Sequence, residues 1–274
     1  GLGEPGPGRE PPADVAILEL GVGTGRLAIP LADLGFEVWG VDASPAMLER
    51  LAGKPGGDRV RAVVADMADV GLGVDSDGTR TGTGVAVGPG TSPGTGTGTG
   101  TEGTDVERAT EPRGVGAEAL GDRRFRLVVA AFNTFFNLTS EAAQARCLAG
   151  AARRLAPGGR VVIEAFVPSL PRLPSTGVVE VGRIETDRVV LNVSRVRPDD
   201  QVVDGNHVEL SVRGNRLRPW SIRFLTPPQL DAMAGAAGLS LVDRWAGWRD
   251  QPFDDTSTLH VSAYGLRRSA QAER

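Results

Sequence analysis

Cysteine is nearly missing from this chain: Cys147 is the only one in 274 residues, which excludes an internal disulfide framework and any cysteine-rich zinc site. Histidine occurs twice, at His207 and His260, far apart and outside the HExxH spacing, so no histidine-built metal centre is expected. No apolar run reaches the ~18 residues a membrane helix needs, and the residues before the first strand are not expected to act as a signal peptide. The charge balance, 30 basic against 34 acidic residues for a net −4, exerts no general pull on nucleic acid or anionic lipid. These shortages together describe a reducing-compartment protein, expected in the cytoplasm, with no nucleic-acid, membrane or metal partner. Lysine is as scarce as cysteine. Lys54 is the only one, the other basic residues being arginines, a skew that looks like codon bias and lowers the information in any single arginine.

Glycine and proline are abundant, 38 and 19 residues, about a fifth of the chain, so part of it is expected to lack a packed core. That part is Gly71–Gly121, dominated by a near-dipeptide Gly-Thr repeat. Such a segment buries too little surface to offset an ordering cost of about 1–2 kcal/mol per residue. Residues 71–121 are therefore expected to be a disordered insertion.

Outside it, strands and helices alternate. Val15–Leu20 is a continuous apolar run of the buried-strand type. A helix is expected over Gly25–Leu34, kinked at Pro30 and closed by Gly35. Phe36–Val41 and Arg61–Ala65 read as the second and third strands, with Ser44-Pro45 opening the helix between them. Phe125–Phe132 is the fourth strand, Glu141–Leu155 a helix capped by Ser140 and stopped at Pro157-Gly158-Gly159, and Arg160–Phe166 the fifth strand. Alternation of this kind implies a parallel sheet with helices on both faces. Between Val178 and Thr226 the period changes to two, with turn residues at Pro198-Asp199-Asp200, Asp204-Gly205-Asn206 and Gly214-Asn215, the pattern of an antiparallel meander. A helix over Pro228–Ala237 and strands over Leu239–Trp245 and Leu259–Gly265 complete the chain. The expected organisation is an α/β core over 13–70 and 122–170, an antiparallel insertion over 176–226 between the fifth and sixth core strands, and a return to the core over 227–268. By position the insertion is either a roof over the substrate or a contact between two copies.

The chemistry concentrates in ILELGVGTGRLAIPLADLGFEVWGVDASPAML. A buried strand ends at Glu19-Leu20, glycines follow at 21, 23 and 25, and a helix begins. Glycines at such a turn let backbone approach a ligand, and the helix N-terminus presents free N–H groups. Asp42 ends the next strand, where a carboxylate can accept both hydroxyls of a ribose. A dinucleotide fingerprint needs a third glycine where this chain has Arg26, and a nicotinamide-dependent oxidoreductase is further disfavoured by the absence of a Tyr-x-x-x-Lys pair.

With ELGVGTG, VDASPAML, VVADMADV and LAPGG in order, and FNTFFNL after the fourth strand, the chain resembles the class I S-adenosylmethionine-dependent methyltransferases that act on small molecules. The resemblance implies a Rossmann-like sheet and S-adenosyl-L-methionine as cofactor. It assigns the methionine moiety to the backbone around Glu19, Gly21, Gly23 and Gly25, the ribose to Asp42, and the adenine to Ala43, Met47, Asp66 and Met67. Phe132 and Asn133 would border the transferable methyl. Taken alone, Asp66 reads equally as a helix N-cap, and two of Phe132, Phe135 and Phe136 as core. Asn133, Asn137, Glu164 and His207 are the polar candidates near the reaction, with Asn133 and His207 as weak catalytic candidates and no base assigned. The implied reaction is methyl transfer to an N or O nucleophile of a small molecule, by a monomer or a homodimer. A nicotinamide-dependent enzyme and a non-catalytic cofactor-binding protein are the alternatives. Members usually carry a helical lid before the first strand, whereas Gly1–Pro12 has no helical period.

Overall fold

The computed structural model describes residues 15–71, 116–168 and 177–267. Five parallel strands form the heart of the larger sheet: β1 (Ala16–Leu20), β2 (Glu37–Asp42), β3 (Arg61–Val64), β4 (Phe125–Ala130) and β5 (Leu155–Phe166). A second, four-stranded antiparallel sheet follows, made of β6 (Val178–Ile184), β7 (Arg188–Arg197), β8 (Val202–Ser211) and β9 (Gly214–Arg223). The chain then returns as β10 (Leu239–Trp245) and β11 (Leu259–Leu266), which pair antiparallel with each other, β11 also pairing antiparallel with β5. The seven-stranded order is β10-β11-β5-β4-β1-β2-β3. Strand order reverses at β1, and the crevice outside the strand ends at such a switch is where open α/β sheets hold ligands.

Helices cover both faces, as alternation requires. On one face Ala28 and Ala32 from α1 (Ala28–Asp33) and Leu48 and Leu51 from α2 (Pro45–Ala52) pack on Val38. On the other, Leu148 and Ala151 from α3 (Glu141–Arg153) and Leu230 and Ala234 from α4 (Pro227–Ala236) join the main cluster with Leu18, Val128, Ile163 and Tyr264. Ser140 caps α3 as expected, its Oγ accepting from the Ala143 N–H at 3.2 Å.

Three expectations need correction. The first helix is only Ala28–Asp33, so Pro30 falls in its first turn, where proline is tolerated, rather than in the interior, where a kink is expected. The run Leu155–Phe166 is one strand rather than a helix end, a turn and a strand: Phe125 pairs with Leu155 and Leu127 with Arg160, and the intervening Pro157-Gly158-Gly159 bulges out, with Gly158 at φ 72°. Finally, the stretch expected to lack structure begins and ends inside the fold. Gly71 lies against Gly150, and Ala117–Leu120 is a short 3-10 helix with Ala117 and Leu120 buried. The remainder of that stretch, and Gly1–Pro12, lie outside the described residues.

One arginine ties the two flanks together. The buried Arg154 donates to the carbonyls of Val70 (2.7 Å) and Gly121, the residues on either side of the insertion. Burial, before any neighbouring charge, lowers its pKa from the usual guanidinium range.

Candidate active site

The carboxyl ends of β1, β2, β3 and β4 lie side by side and bring most of the predicted residues together. Beyond β1, Gly21 and Gly23 adopt φ of 66° and 53°, a region open to glycine at no steric cost. Gly21 is also restricted by contact, because a Cβ there would strike the Thr134 methyl on the segment leaving β4. Nothing lies within 4 Å of a Cβ built on Gly23, so the turn has open space above it.

Asp42 holds this turn to the end of β2. One carboxylate oxygen accepts from the Gly23 N–H and the other from the Ser44 N–H, both at 2.8 Å. A carboxylate has about four lone-pair sites, so two remain for ligand hydroxyls. Ala43 and Met47 are exposed beside it. Ser44 heads α2 without a side-chain cap bond; its N–H, not its hydroxyl, is what the site uses.

Glu19 is buried on the core side of the turn. Its pKa is pushed up to about 8, chiefly by burial and further by the Asp42 charge, while a backbone bond from Ala28 pulls the other way. Its Oε2 has no hydrogen-bond partner. A buried acceptor left unpaired costs about 1–3 kcal/mol, and a donor brought by a ligand would relieve that cost. The open space at Gly23, the spare capacity of Asp42 and the orphaned Glu19 oxygen fit a ligand carrying an ammonium group and a ribose.

Beyond β3, Asp66 is exposed and caps the short helix Met67–Asp69, its Oδ1 accepting from the Ala68 N–H at 2.8 Å. The N-cap geometry weighed from the sequence is thus present; it occupies one oxygen of the residue assigned to adenine. Met67 packs partly against the main core.

Beyond β4 the chain makes an unusual exit. Phe132 and Asn133 have φ of 56° and 61°, a left-handed conformation that costs a bulky residue about 1–2 kcal/mol. The Phe132 N–H donates to Glu164 Oε2 at 2.7 Å, the Asn133 N–H donates to the Glu164 carbonyl at 3.2 Å, and Asn133 Oδ1 accepts from the Phe166 N–H at 2.7 Å. Phe132 is 47% exposed and carries the Arg26 guanidinium 4.7 Å from its ring centroid, whereas Phe135 and Phe136 are fully buried.

His207 stands apart from this group. It lies on β8 of the second sheet, paired with Asn192 and Arg218, its ring 6.0 Å from that of Trp220. The sheet is anchored at its base, where Arg223 donates to Glu141 and Gln144 of α3 and Gln144 donates back to the Arg223 carbonyl. Among the described residues no cluster of three potential metal ligands occurs, and no helix is long and apolar enough to cross a membrane. Sequence reasoning missed Lys54, whose Nζ donates to the Thr24 carbonyl (2.7 Å) and Oγ1 (2.8 Å). Its being the sole lysine was the one available signal.

A strand-end glycine turn, an acidic residue closing the second strand and a switch point between them define a nucleoside-type cofactor site on a Rossmann-like sheet. Comparison with known proteins narrows this. The family model described as a methyltransferase domain matches residues 17–77. The CcbJ methyltransferase from Streptomyces caelestis is 33% identical, with 93% of this chain and 85% of that one covered at a TM-score of 0.71. The sugar N-methyltransferase KedS8 from Streptoalloteichus (18% identity; 93% and 81% covered; TM-score 0.56) shares the fold. So does CalS10 from Micromonospora echinaspora, an amino pentose methyltransferase solved with S-adenosylmethionine bound (20%; 91% and 83%; 0.54). A comparison with curated proteins returns no match. The chain belongs to the class I S-adenosylmethionine-dependent methyltransferases.

Proposed function

We propose that the chain methylates a nitrogen of a small-molecule amine. The observation that carries this is the state of the polar groups at the exit of β4. Glu164 is buried with Oε2 held by the Phe132 N–H, and Asn133 carries an amide, which is not a base, so the exit of β4 presents no exposed carboxylate or imidazole to take a proton from a hydroxyl acceptor. A neutral amine attacks with its own lone pair and releases its proton to water afterwards, needing no base beforehand. Fold neighbours described as a sugar N-methyltransferase and an amino pentose methyltransferase support the same choice.

S-adenosylmethionine supplies, when bound, a methyl group on a cationic sulfur. In our reading the Gly21–Gly25 turn and Glu19 hold its methionine end, Asp42 its ribose, and Ala43, Met47, Asp66 and Met67 the adenine, while Phe132 walls the methyl. The nucleophile attacks in line, the N–C bond forming as the S–C bond breaks. These residues contribute alignment and exclusion of water, and alignment alone can supply about 7–11 kcal/mol of a barrier. Asn133, engaged with Phe166, is a scaffold residue in this reading.

The inserted sheet serves both roles considered for it. Its face bearing Asn192, His207 and Trp220 roofs the acceptor. The opposite face is apolar across the rungs Val179–Val193 and Val181–Leu191–Val208–Leu217, with Val179, Val181 and Leu217 more than 60% exposed. Four strands of about ten residues present roughly 600 Å² in projection, and stable interfaces take about 800 Å² of accessible surface from each partner. We assign this face to a second copy of the chain, which an isologous contact would cover with itself. Cytoplasmic placement is supported by the buried, unpaired Cys147. Incubating the protein with S-adenosylmethionine and a panel of amino sugars and cyclic amines tests the acceptor class. A mass gain of one methyl on an amine, and none on the matching N-acetylated compound, is expected; methylation of the N-acetylated compound at a hydroxyl would contradict it.

A further inference from the structure

We propose that Glu164 is a positioning residue for methyl transfer, acting through Phe132. This rests on the reading that Phe132 walls the transferable methyl.

The exit of β4 is locked to β5 by bonds running both ways. Glu164 accepts twice, its carboxylate from the Phe132 N–H and its carbonyl from the Asn133 N–H, and β5 donates once, from the Phe166 N–H to Asn133 Oδ1. The latch joins two strands that are already neighbours, so sheet pairing alone does not need it. What it fixes is the backbone of two consecutive non-glycine residues in a conformation bulky side chains avoid. Steric strain held by surrounding bonds gathers where a side chain must be aimed. Here the aimed side chain is Phe132. Its two successors, Phe135 and Phe136, turn into the core, while its own ring remains exposed against Arg26 on the glycine turn. The latch therefore spans the site: β5 holds the β4 exit, and the β4 exit reaches back to the loop after β1. Glu164 is itself buried, with one carboxylate oxygen held by the Phe132 N–H, which suits a residue that acts by holding another.

Two probes separate the wall from the rest of the cofactor site. S-adenosylhomocysteine lacks the transferable methyl, whereas sinefungin places an amine at that position. Affinity for both is measured by titration calorimetry on the wild type, E164A, E164Q and F132A, with hydrogen exchange followed at the Phe132 and Asn133 amides. The Gln side chain retains an oxygen that can accept the Phe132 N–H. The expected result is that E164A loses about tenfold in sinefungin affinity with S-adenosylhomocysteine changed by less than about threefold, that both amides exchange faster, and that E164Q restores both readouts. F132A should reproduce the selective loss without faster exchange at Asn133. Equal losses for the two probes in E164A, or the same defect in E164Q, would overturn the positioning role while F132A remained selective. If F132A itself shows no selectivity, the assignment of Phe132 to the methyl wall falls instead. Should E164A fold poorly, N133A, which removes the third bond, takes its place, with E164Q kept as the variant that retains the latch.

Discussion

Lys54 closes a chelate on Thr24: its ammonium donates to both the carbonyl and the hydroxyl of that residue, 30 positions away, at 2.7 and 2.8 Å. Thr24 sits between the second and third glycines of the turn, so the turn is tied to the chain beyond α2. The clamp is exposed and therefore screened, so its effect on stability is small. Its effect on loop order should be larger.

K54M should weaken S-adenosylhomocysteine binding by about three- to tenfold, with Tm lowered by no more than about 2 °C, since a hydrogen bond to a charged group contributes about 1.5–3 kcal/mol before screening. Calorimetric titration and a thermal scan check both. Unchanged affinity would mean the turn is ordered without the clamp.

Glu19 makes the stability of the free protein fall as pH rises. Its folded pKa of about 8 lies above the ordinary value of 4.5, so the folded state binds the proton more tightly than the unfolded one. The contribution of Glu19 is fully present below about pH 4.5 and is lost as pH climbs through about 8. E19Q should flatten the dependence of Tm on pH in that window. Cofactor binding, by bringing a cation to the carboxylate, should release a proton near pH 7, read as a dependence of the binding enthalpy on the ionisation enthalpy of the buffer. Proton uptake would contradict the assignment.

The positions of these groups were legible in the sequence to different degrees, for physical reasons. Asp42 was readable because its place follows from local rules: a strand of fixed period, then Ser-Pro opening a helix. Glu19 and the glycines were readable for the same reason. The Glu164 latch was not, because its partners are the backbone N–H groups of Phe132 and Asn133 in the preceding strand's exit and a phenylalanine is not a residue one expects at positive φ. Proline 30 misled in the opposite sense: the helix starts three residues later than the glycine turn suggests, which turns an apparent fault into an ordinary first-turn proline. Leu120 shows that composition averages over a stretch, whereas packing needs only one apolar side chain at its end.

Arg154 should matter to the fold more than a single arginine in an arginine-rich chain suggests. R154M leaves the carbonyls of Val70 and Gly121 without their buried donor, at a cost of about 2–3 kcal/mol. At roughly 2–4 °C per kcal/mol for a domain of this size, Tm should drop by about 5–10 °C. Shortening residues 72–115 to a brief Gly-Ser linker, with Gly71 and the buried Ala117 and Leu120 kept in place, should cost far less, because closure entropy changes slowly with loop length. Circular dichroism melts of the two variants decide the comparison.

The apolar outer face of β6–β9 predicts a dimer that charge can split. V181E with L217E places a carboxylate on each edge strand of the proposed contact face, where a desolvated charge is costly. Light scattering should show a wild-type dimer and a folded, monomeric double variant. A wild-type monomer at about 100 μM would remove the assignment.

The central claim, that the turn from Glu19 to Gly25 and Asp42 form an S-adenosylmethionine site, is tested most directly by titrating the purified protein with S-adenosylhomocysteine, with NADPH as control, and repeating both with D42A. Micromolar binding of S-adenosylhomocysteine (about −8 kcal/mol), at least tenfold weaker in D42A and undetectable for NADPH, is the predicted result. Binding of S-adenosylhomocysteine that D42A leaves untouched, or tight binding of NADPH, would contradict it.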